Sequence, residues 1–106
     1  MDETEFNALA EAELGRIEAA FEAADLDIDQ QPGGVLQVEF DDGSQMIINR
    51  HSAAREIWVA ARQGGFHFRL EEAGWIAARD GSELWQRLET LATAQAGRPV
   101  RLERVA

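Results

Sequence analysis

The sequence predicts an α+β protein, a two-layer α/β sandwich in which two helices pack on one face of a five- to six-stranded antiparallel sheet. Three observations predict this fold class. Residues 45–70 contain three short runs in which apolar and polar side chains alternate, which is typical of a sheet with one wet face. An apolar stripe at helical spacing precedes them, and a second one follows. At 106 residues, the chain is expected to form a single domain over residues 1–106.

The N-terminal segment is predicted to be a helix that ends near Ala24. Thr4 is predicted to cap its start, since threonine is a favoured N-cap residue and the neighbouring acids suit the positive end of a helix. Gly15 costs roughly 1 kcal/mol relative to alanine, so tertiary packing has to stabilise this helix. The apolar stripe consists of Phe6, Ala10, Leu14, Ile17 and Phe21.

Two strands are predicted next. Residues 26–29 alternate and are expected to form a short edge strand with Asp27 and Asp29 facing outward. Residues 35–40 follow a Pro-Gly-Gly turn and end at an Asp-Asp-Gly-Ser hairpin turn. The inward residues of this second strand are Leu36, Val38 and Phe40.

The three central strands are expected to carry an aromatic residue on their outer face. Setting Ile57 and Val59 inward places Trp58 outward, because successive strand side chains point to opposite faces. An exposed tryptophan often marks a binding surface. In the following strand the predicted inward residues are Phe66, Phe68 and Leu70. The polar residues predicted on or beside the outer face are Asn49, Arg50, His51, Arg62, His67 and Arg69.

The C-terminal part is predicted to close the sandwich. Residues 75–78 form the last strand and bury its tryptophan, and residues 80–82 break the strand and cap a second helix over residues 83–96. Gly97 ends that helix, and residues 100–105 pack beside the helices.

Composition excludes several function classes. The chain lacks cysteine, so disulfides and thiolate chemistry are excluded, and it has no apolar run long enough to span a membrane. Its acidic start argues against a signal or transit peptide, so a cytoplasmic location is expected. The net charge is −10, and residues 1–29 hold ten acids and one base. Such a field disfavours nucleic acid and anionic membranes and favours cations or a basic protein surface.

An acidic stripe runs along the first helix, about 100° around its axis from the apolar stripe. Like charges four residues apart destabilise a helix by roughly 0.2–0.5 kcal/mol, and few bases compensate them here, so a solvated face and a functional one are equally plausible on residues alone. Carboxylates suit hard cations such as Mg²⁺, Ca²⁺, Mn²⁺ and Fe²⁺, in several weak and overlapping sites. The stripe consists of Glu11, Glu18, Glu22 and Asp25.

An enzyme is not expected. The only histidines are His51 and His67, and no serine stands in a nucleophile motif beside them. A ferroxidase would need a Glu-x-x-His cluster, which the sequence lacks. His67 is more simply a surface residue than a metal ligand, and the roles of both histidines stay open.

Several motifs together resemble the frataxin family, most closely its bacterial branch. They are Ile48-Asn49-Arg50, Ile57-Trp58-Val59-Ala60, Gly64-Gly65-Phe66-His67-Phe68, Trp75 and Gly81-Ser82-Glu83-Leu84-Trp85. The resemblance implies a protein of iron–sulfur cluster assembly that binds iron (Fe²⁺/Fe³⁺) weakly on an acidic ridge, where other divalent cations can substitute. It also implies contact with the cysteine desulfurase and the scaffold protein, and a monomer that could oligomerise with iron.

The resemblance also implies site residues by position. Ala19 and Ala23 stand where related chains often carry acids, so the ridge is thinner here. The expected metal residues are Glu11, Glu18, Glu22, Asp25, Asp27 and Asp29. The expected partner contacts are Glu18, Glu22, Asp25, Asn49, Trp58 and His67. The alternative is a metal-independent acidic adaptor that binds a basic partner surface.

Overall fold

The computed structural model describes residues 1–105 and confirms the two-layer sandwich, with two helices packed on a six-stranded antiparallel sheet. The strands follow one another in chain order across the sheet, β1 to β6, and each pairs with the next in antiparallel register. The elements in chain order are α1 Glu3–Ala23, β1 Asp27–Gln31, β2 Val35–Glu39, β3 Gln45–His51, β4 Glu56–Ala61, β5 Gly64–Glu71, β6 Gly74–Ile76 and α2 Leu84–Ala96.

The core lies between the helices and one face of the sheet. The predicted stripe of α1 is buried, and Phe6, Ile17 and Phe21 are fully covered. The sheet contributes the alternate residues that the sequence placed inward, including Val59 of β4 and Phe68 of β5. The opposite face of the sheet is open, so its side chains remain available for contacts outside the core.

The start of α1 corrects one expectation. The N-cap is Asp2 rather than Thr4, and its carboxylate accepts a hydrogen bond of 2.8 Å from the N–H of Glu5. An aspartate is at least as good an N-cap as threonine, and its negative charge also suits the positive end of the helix dipole. Thr4 therefore lies within the first turn.

The start of α2 differs in the same way. Residues 80–82 form a turn in which Ser82 donates to Asp80, and Glu83 is the N-cap, accepting from the N–H groups of Trp85 and Gln86. The last strand is also shorter than predicted, ending at Ile76, because the turn then draws the chain away from β5.

The chain after α2 folds back across the helices, as predicted. Gly97 ends α2 in the left-handed conformation (φ 69°). Beyond it, Val100 and Leu102 are buried, although residues 98–105 form no strand. Within residues 1–105, neither helix has the length and apolar character that crossing a membrane would require.

Candidate functional site

The acidic flank of α1 faces the β1–β2 end of the sheet. Glu11 and Glu18 line a cavity of about 640 Å³ that separates α1 from the β1–β2 hairpin. Glu22 and Asp25 continue the stripe to the end of the helix and are exposed. The structure thus places the predicted helical acids along the edge strand of the sheet.

Glu11 differs from the other ridge acids because it has a partner. Its carboxylate accepts a hydrogen bond from Arg50 of β3 and forms an ion pair with it. Arg50 can pass close to the β1–β2 turn because Gly34 has no side chain, and a Cβ there would lie 2.8 Å from the Arg50 Nε atom. The charge of Glu11 is therefore compensated within the molecule.

The remaining ridge acids have no such compensation. Within residues 1–105, Glu18, Glu22 and Asp25 form no ion pair, and neither do the acids of β1. Six of the ten arginines pair with carboxylates, but none of them pairs with Glu18, Glu22, Asp25 or an acid of β1. The chain has ten arginines for twenty acids, and these ion pairs leave the acids of this edge uncompensated within residues 1–105.

Asp25 owes its position to the way α1 ends. It adopts φ 62°, a conformation that glycine usually supplies at this point of a helix. Its N–H donates to the carbonyl of Glu22, and the N–H of Leu26 donates to the carbonyl of Phe21, each at 3.0 Å. These two hydrogen bonds end the helix and turn the chain directly into β1, so Asp25 lies between the helix and the edge strand.

Strand β2 and the turn after it bring in two acids, Glu39 and Asp41, that the sequence analysis did not single out. Asp27 lies directly opposite Glu39 in the β1–β2 ladder, and like charges in that position repel. A cleft at the end of this ladder is lined by Asp25, Asp27, Glu39 and Asp41 and also by Arg98, whose guanidinium donates a hydrogen bond to the carbonyl of Ala24. The pairing of the two strands around the Pro-Gly-Gly turn is the signal that could have identified them.

The donor set fits hard cations, but it does not form a cage. Carboxylate oxygens are suitable ligands for Fe²⁺ and other hard divalent ions. Within residues 1–105, no three histidine, aspartate or glutamate side chains converge as a metal site requires. Any cation held here would therefore keep most of its water and bind to pairs of exposed carboxylates.

The outer face of the sheet carries a stack of three rings. Trp58 of β4 lies between His51 of β3 and His67 of β5, with ring centroids 3.8 and 4.3 Å apart and planes within 11° of parallel. The predicted face of Trp58 is confirmed, but the residue is half-buried rather than fully exposed. Both faces of its indole are covered, so a partner would meet its edge and the outer side of His67.

Glu56 fixes this stack from the same face. Its carboxylate accepts a hydrogen bond of 2.8 Å from the indole Nε1 of Trp58 and one of 3.1 Å from Nε of Arg69. Nδ1 of His67 lies 3.9 Å from the same carboxylate. Partial burial of the Glu56 carboxyl raises its pKa, but the hydrogen bonds from Trp58 and Arg69 outweigh this effect and leave the pKa below its ordinary value. Glu56 is therefore ionised, its charge is compensated by Arg69, and its carboxylate holds the indole of Trp58 in place through a hydrogen bond.

Two arginines lie away from the predicted face. Arg50 points to the helix side, where it pairs with Glu11. Arg62 lies at the end of β4, where it bonds Asp42 and the carbonyl of Ala94 in α2. The alternation puts Arg50 on the inner face, two residues after Ile48, and Arg62 belongs to a hairpin turn, where strand alternation no longer holds.

Glu13 is the charged residue that the sequence analysis missed. It sits on the buried side of α1 with 2 % exposure and accepts from the indole Nε1 of Trp85 at 2.6 Å. Arg104 donates to it twice, at 2.8 and 3.0 Å, and Arg16 once, at 3.0 Å. The spacing from Ala10 and Ile17 places position 13 on the apolar face, and this was the available signal.

Comparison with known proteins agrees with this architecture. A family model described as a frataxin-like domain matches residues 1–98. A curated relative from Dechloromonas aromatica, named iron-sulfur cluster assembly protein CyaY, is 60 % identical over 102 residues, covering 94 % of this chain and 97 % of the relative. The chain belongs to the CyaY branch of the frataxin family.

Other frataxins extend the comparison. A CyaY from Vibrio cholerae is 46 % identical, with 94 % of this chain and 97 % of that protein covered. The solved frataxin of Psychromonas ingrahamii superposes with a TM-score of 0.86 at 30 % identity, covering 95 % of this chain and 97 % of the other. Yeast frataxin, at 23 % identity and a TM-score of 0.61 over 89 % of this chain and 79 % of its own, shares the fold.

Proposed function

We propose that this frataxin acts in iron–sulfur cluster assembly as an iron-responsive adaptor without enzymatic activity of its own. Curated relatives that carry this assembly role in their printed names support the general function. The observation that carries the proposal is the group of Glu18, Glu22 and Asp25, which the arginines leave unpaired within residues 1–105. We further propose that one cytoplasmic domain, working as a monomer, performs it.

The ridge would bind ferrous or ferric iron weakly. Its proposed ligands are the carboxylates of Glu11, Glu18, Glu22, Asp25, Asp27 and Asp29, with Glu39 and Asp41 as additions at the end of the β1–β2 ladder. Repulsion between these acids is relieved when a divalent cation sits between them. Glu11 would contribute less than the others, because a cation there has to compete with Arg50.

The same carboxylates would meet a basic surface of the cysteine desulfurase. The sheet face would meet the scaffold protein through Asn49, the edge of Trp58 and His67. Asn49 lies opposite Trp58 in the β3–β4 ladder, so these residues form one continuous patch. Iron bound to the ridge would neutralise part of its charge and thereby weaken or bridge the desulfurase contact, which makes the adaptor responsive to iron.

The proposed metal binding on the ridge is tested by NMR during titration with Fe²⁺ under anaerobic conditions, or with Co²⁺. Broadening confined to the amides of Glu18, Glu22 and Asp25 and of β1 is expected, and Glu11 should respond less. Replacing Arg50 with glutamine frees Glu11 and should increase its response. Equal broadening at the exposed pair Glu71 and Glu72, at the other edge of the sheet, would show unspecific binding and refute the ridge.

The partner contact is tested by charge reversal. The double variant Glu18→Lys, Glu22→Lys should lose desulfurase binding while keeping the circular dichroism spectrum and melting temperature of a folded domain. The matched control is Glu71→Lys, Glu72→Lys, which changes the net charge equally at a distant turn. Unchanged desulfurase affinity in the first variant would refute the proposed contact.

A metal-independent acidic adaptor is the second candidate, favoured by the lack of a converging carboxylate cluster within residues 1–105. It predicts the same loss of desulfurase binding on charge reversal but no ridge-localised effect of Fe²⁺ or Co²⁺. Saturable iron oxidation by the purified protein would instead indicate a ferroxidase and contradict both adaptor proposals.

Trp58 tests the sheet-face contact separately. Replacing it with alanine should weaken scaffold binding and leave desulfurase binding unchanged. The residue lies on the outer face, so the core stays intact and the variant should fold. Equal scaffold affinity of the variant and the parent chain would contradict a role for the stacked rings.

A further inference from the structure

The sheet has an unpaired segment at the edge opposite the acidic ridge. Strand β5 is eight residues long, whereas its outer neighbour β6 is only three. Within residues 1–105, β6 pairs with residues 69–71 alone, so residues 64–68 have a neighbouring strand on the β4 side only. An exposed sheet edge of this kind is a template for pairing with another chain.

The hairpin registers show which backbone groups face this gap. Two-residue loops join β4 to β5 and β5 to β6, with closing pairs Ala61–Gly64 and Glu71–Gly74. The closing pair of such a hairpin is hydrogen-bonded, and the bonding direction alternates along a strand. Residue 64 therefore bonds toward β4 and residue 71 toward β6, so the N–H and C=O groups of Gly65 and His67 point into the gap.

Nothing in the described chain uses these groups. Within residues 1–105, no neighbouring strand and no turn hydrogen bond reaches the outward side of Gly65 or His67. A groove of about 380 Å³ lies there instead, between residues 65–67 of β5 and residues 77–79 of the following turn. An extended peptide would fit along the groove and continue the sheet where β6 ends.

The charges beside the groove favour an acidic occupant. Arg79 is exposed and, within residues 1–105, forms no ion pair with a carboxylate, because the neighbouring Asp80 pairs with Arg87 instead. Its guanidinium lies 5.3 Å from the ring centroid of Phe66, at the rim of the groove. The carboxylate that lines the groove, Glu56, is neutralised by Arg69 and bonded to the indole of Trp58.

We propose that this edge, defined by residues 65–67 and Arg79, binds a short extended acidic segment of a partner protein by β-strand addition. Main-chain hydrogen bonds to Gly65 and His67 would supply affinity. A carboxylate of the segment would pair with Arg79, whose planar guanidinium suits it. The surface is independent of the iron ridge, so failure of either proposal leaves the other standing.

A blocked peptide of alternating valine and glutamate residues is a suitable probe, with the valine–lysine peptide as its counterpart. Titrated into ¹⁵N-labelled full chain, the acidic peptide should shift the amide signals of Gly65 and His67 and slow their hydrogen exchange. The lysine peptide should bind at least about tenfold more weakly, as one lost charge pair predicts. Equal binding of both peptides overturns the assignment.

Two variants and one chemical change locate the contact. The Arg79→Glu variant should bind the acidic peptide about tenfold or more weakly than the parent chain. The Arg101→Glu variant, with an equal charge change on the exposed C-terminal tail, should keep the parent affinity. N-methylation of alternate peptide residues, which removes strand donors without touching the protein, should abolish binding. No shift with the peptide in millimolar excess, or shifts that map to β1, would overturn the proposal. Concentration-dependent shifts of Gly65 without peptide would identify a second copy of the chain as the occupant and would also overturn it.

Discussion

Glu13 shows how a single residue can join three parts of the chain. Its buried carboxylate on α1 accepts hydrogen bonds from Trp85 of α2 and from Arg104 of the tail. Burial raises the pKa of Glu13, but the hydrogen bonds from Arg104 and Trp85 and the charges of Arg104 and Arg16 outweigh it, so the pKa lies below the ordinary value of 4.5. The residue is therefore ionised and structural.

Replacing Glu13 with glutamine should lower the free energy of unfolding at neutral pH by about 2 kcal/mol, since charged hydrogen bonds are lost in a buried site. Because the folded pKa is below the unfolded one, the ionised form stabilises the fold above the unfolded value and this stabilisation is lost as the pH falls through the folded value. The difference in the free energy of unfolding between parent and variant, measured by urea denaturation, should become smaller below pH 4.5. Glu18→Gln is the matched control and should have little effect; a gap independent of pH would contradict this reasoning.

Asp25 combines a ridge charge with an unfavourable backbone conformation. Glycine adopts φ 62° without steric cost, so Asp25→Gly should raise the free energy of unfolding by about 0.5 kcal/mol after the entropy of glycine is subtracted. Thermal unfolding of the parent chain and the variant measures this change in stability. Asp25→Asn, which also tolerates this conformation, should leave stability nearly unchanged while reducing cobalt binding. A lower melting temperature for the glycine variant would show that the aspartate side chain stabilises the turn.

The elements of the helix layer are held together by the C-terminal tail. Thr93 of α2 exchanges hydrogen bonds with the backbone of Val100, and Leu102 N–H donates to Glu89 at 2.9 Å. Arg104 then reaches across to Glu13 on α1. The tail thus links both helices and adds the buried side chains of Val100 and Leu102 to the core.

Deleting the chain from Pro99 onward should cost about 3–5 kcal/mol, because two buried aliphatic side chains and the main partner of Glu13 are removed. Chemical denaturation gives the value. A deletion that begins at Val105, which is 58 % exposed, should change stability by no more than about 0.5 kcal/mol. Similar losses of unfolding free energy in the two deletions would contradict the role of the tail in holding the two helices together.

On the scale of the whole molecule, the ridge acids are separated from most of the arginines. Within residues 1–105, Glu18, Glu22, Asp25 and the acids of β1 form no ion pair, whereas six of the ten arginines are bound to other carboxylates, among them Arg69 to Glu56. Such a separation orients the protein in the field of a basic partner before contact.

The association rate with the desulfurase should therefore fall by about tenfold or more between 0.1 and 1 M salt, as the Debye length shrinks from about 10 to about 3 Å. Stopped-flow measurements at several salt concentrations test this. The Glu18→Lys, Glu22→Lys variant should associate slowly at every concentration and show little salt dependence. A parent rate that does not change with salt would contradict electrostatic steering by the ridge.

The order of elements, the buried stripe of α1 and the inward residues of the sheet were predictable from the sequence, because each follows from a local period of 3.6 or 2 residues. The face of Trp58 followed from the same rule. The unpaired character of Glu18 and Glu22, the pairing of Glu11 with Arg50 and the meeting of Glu13 with Arg104 depended on tertiary structure. Ion pairs between residues far apart in the chain have no local period, and only the packed fold decides which charges find a partner and which remain for others.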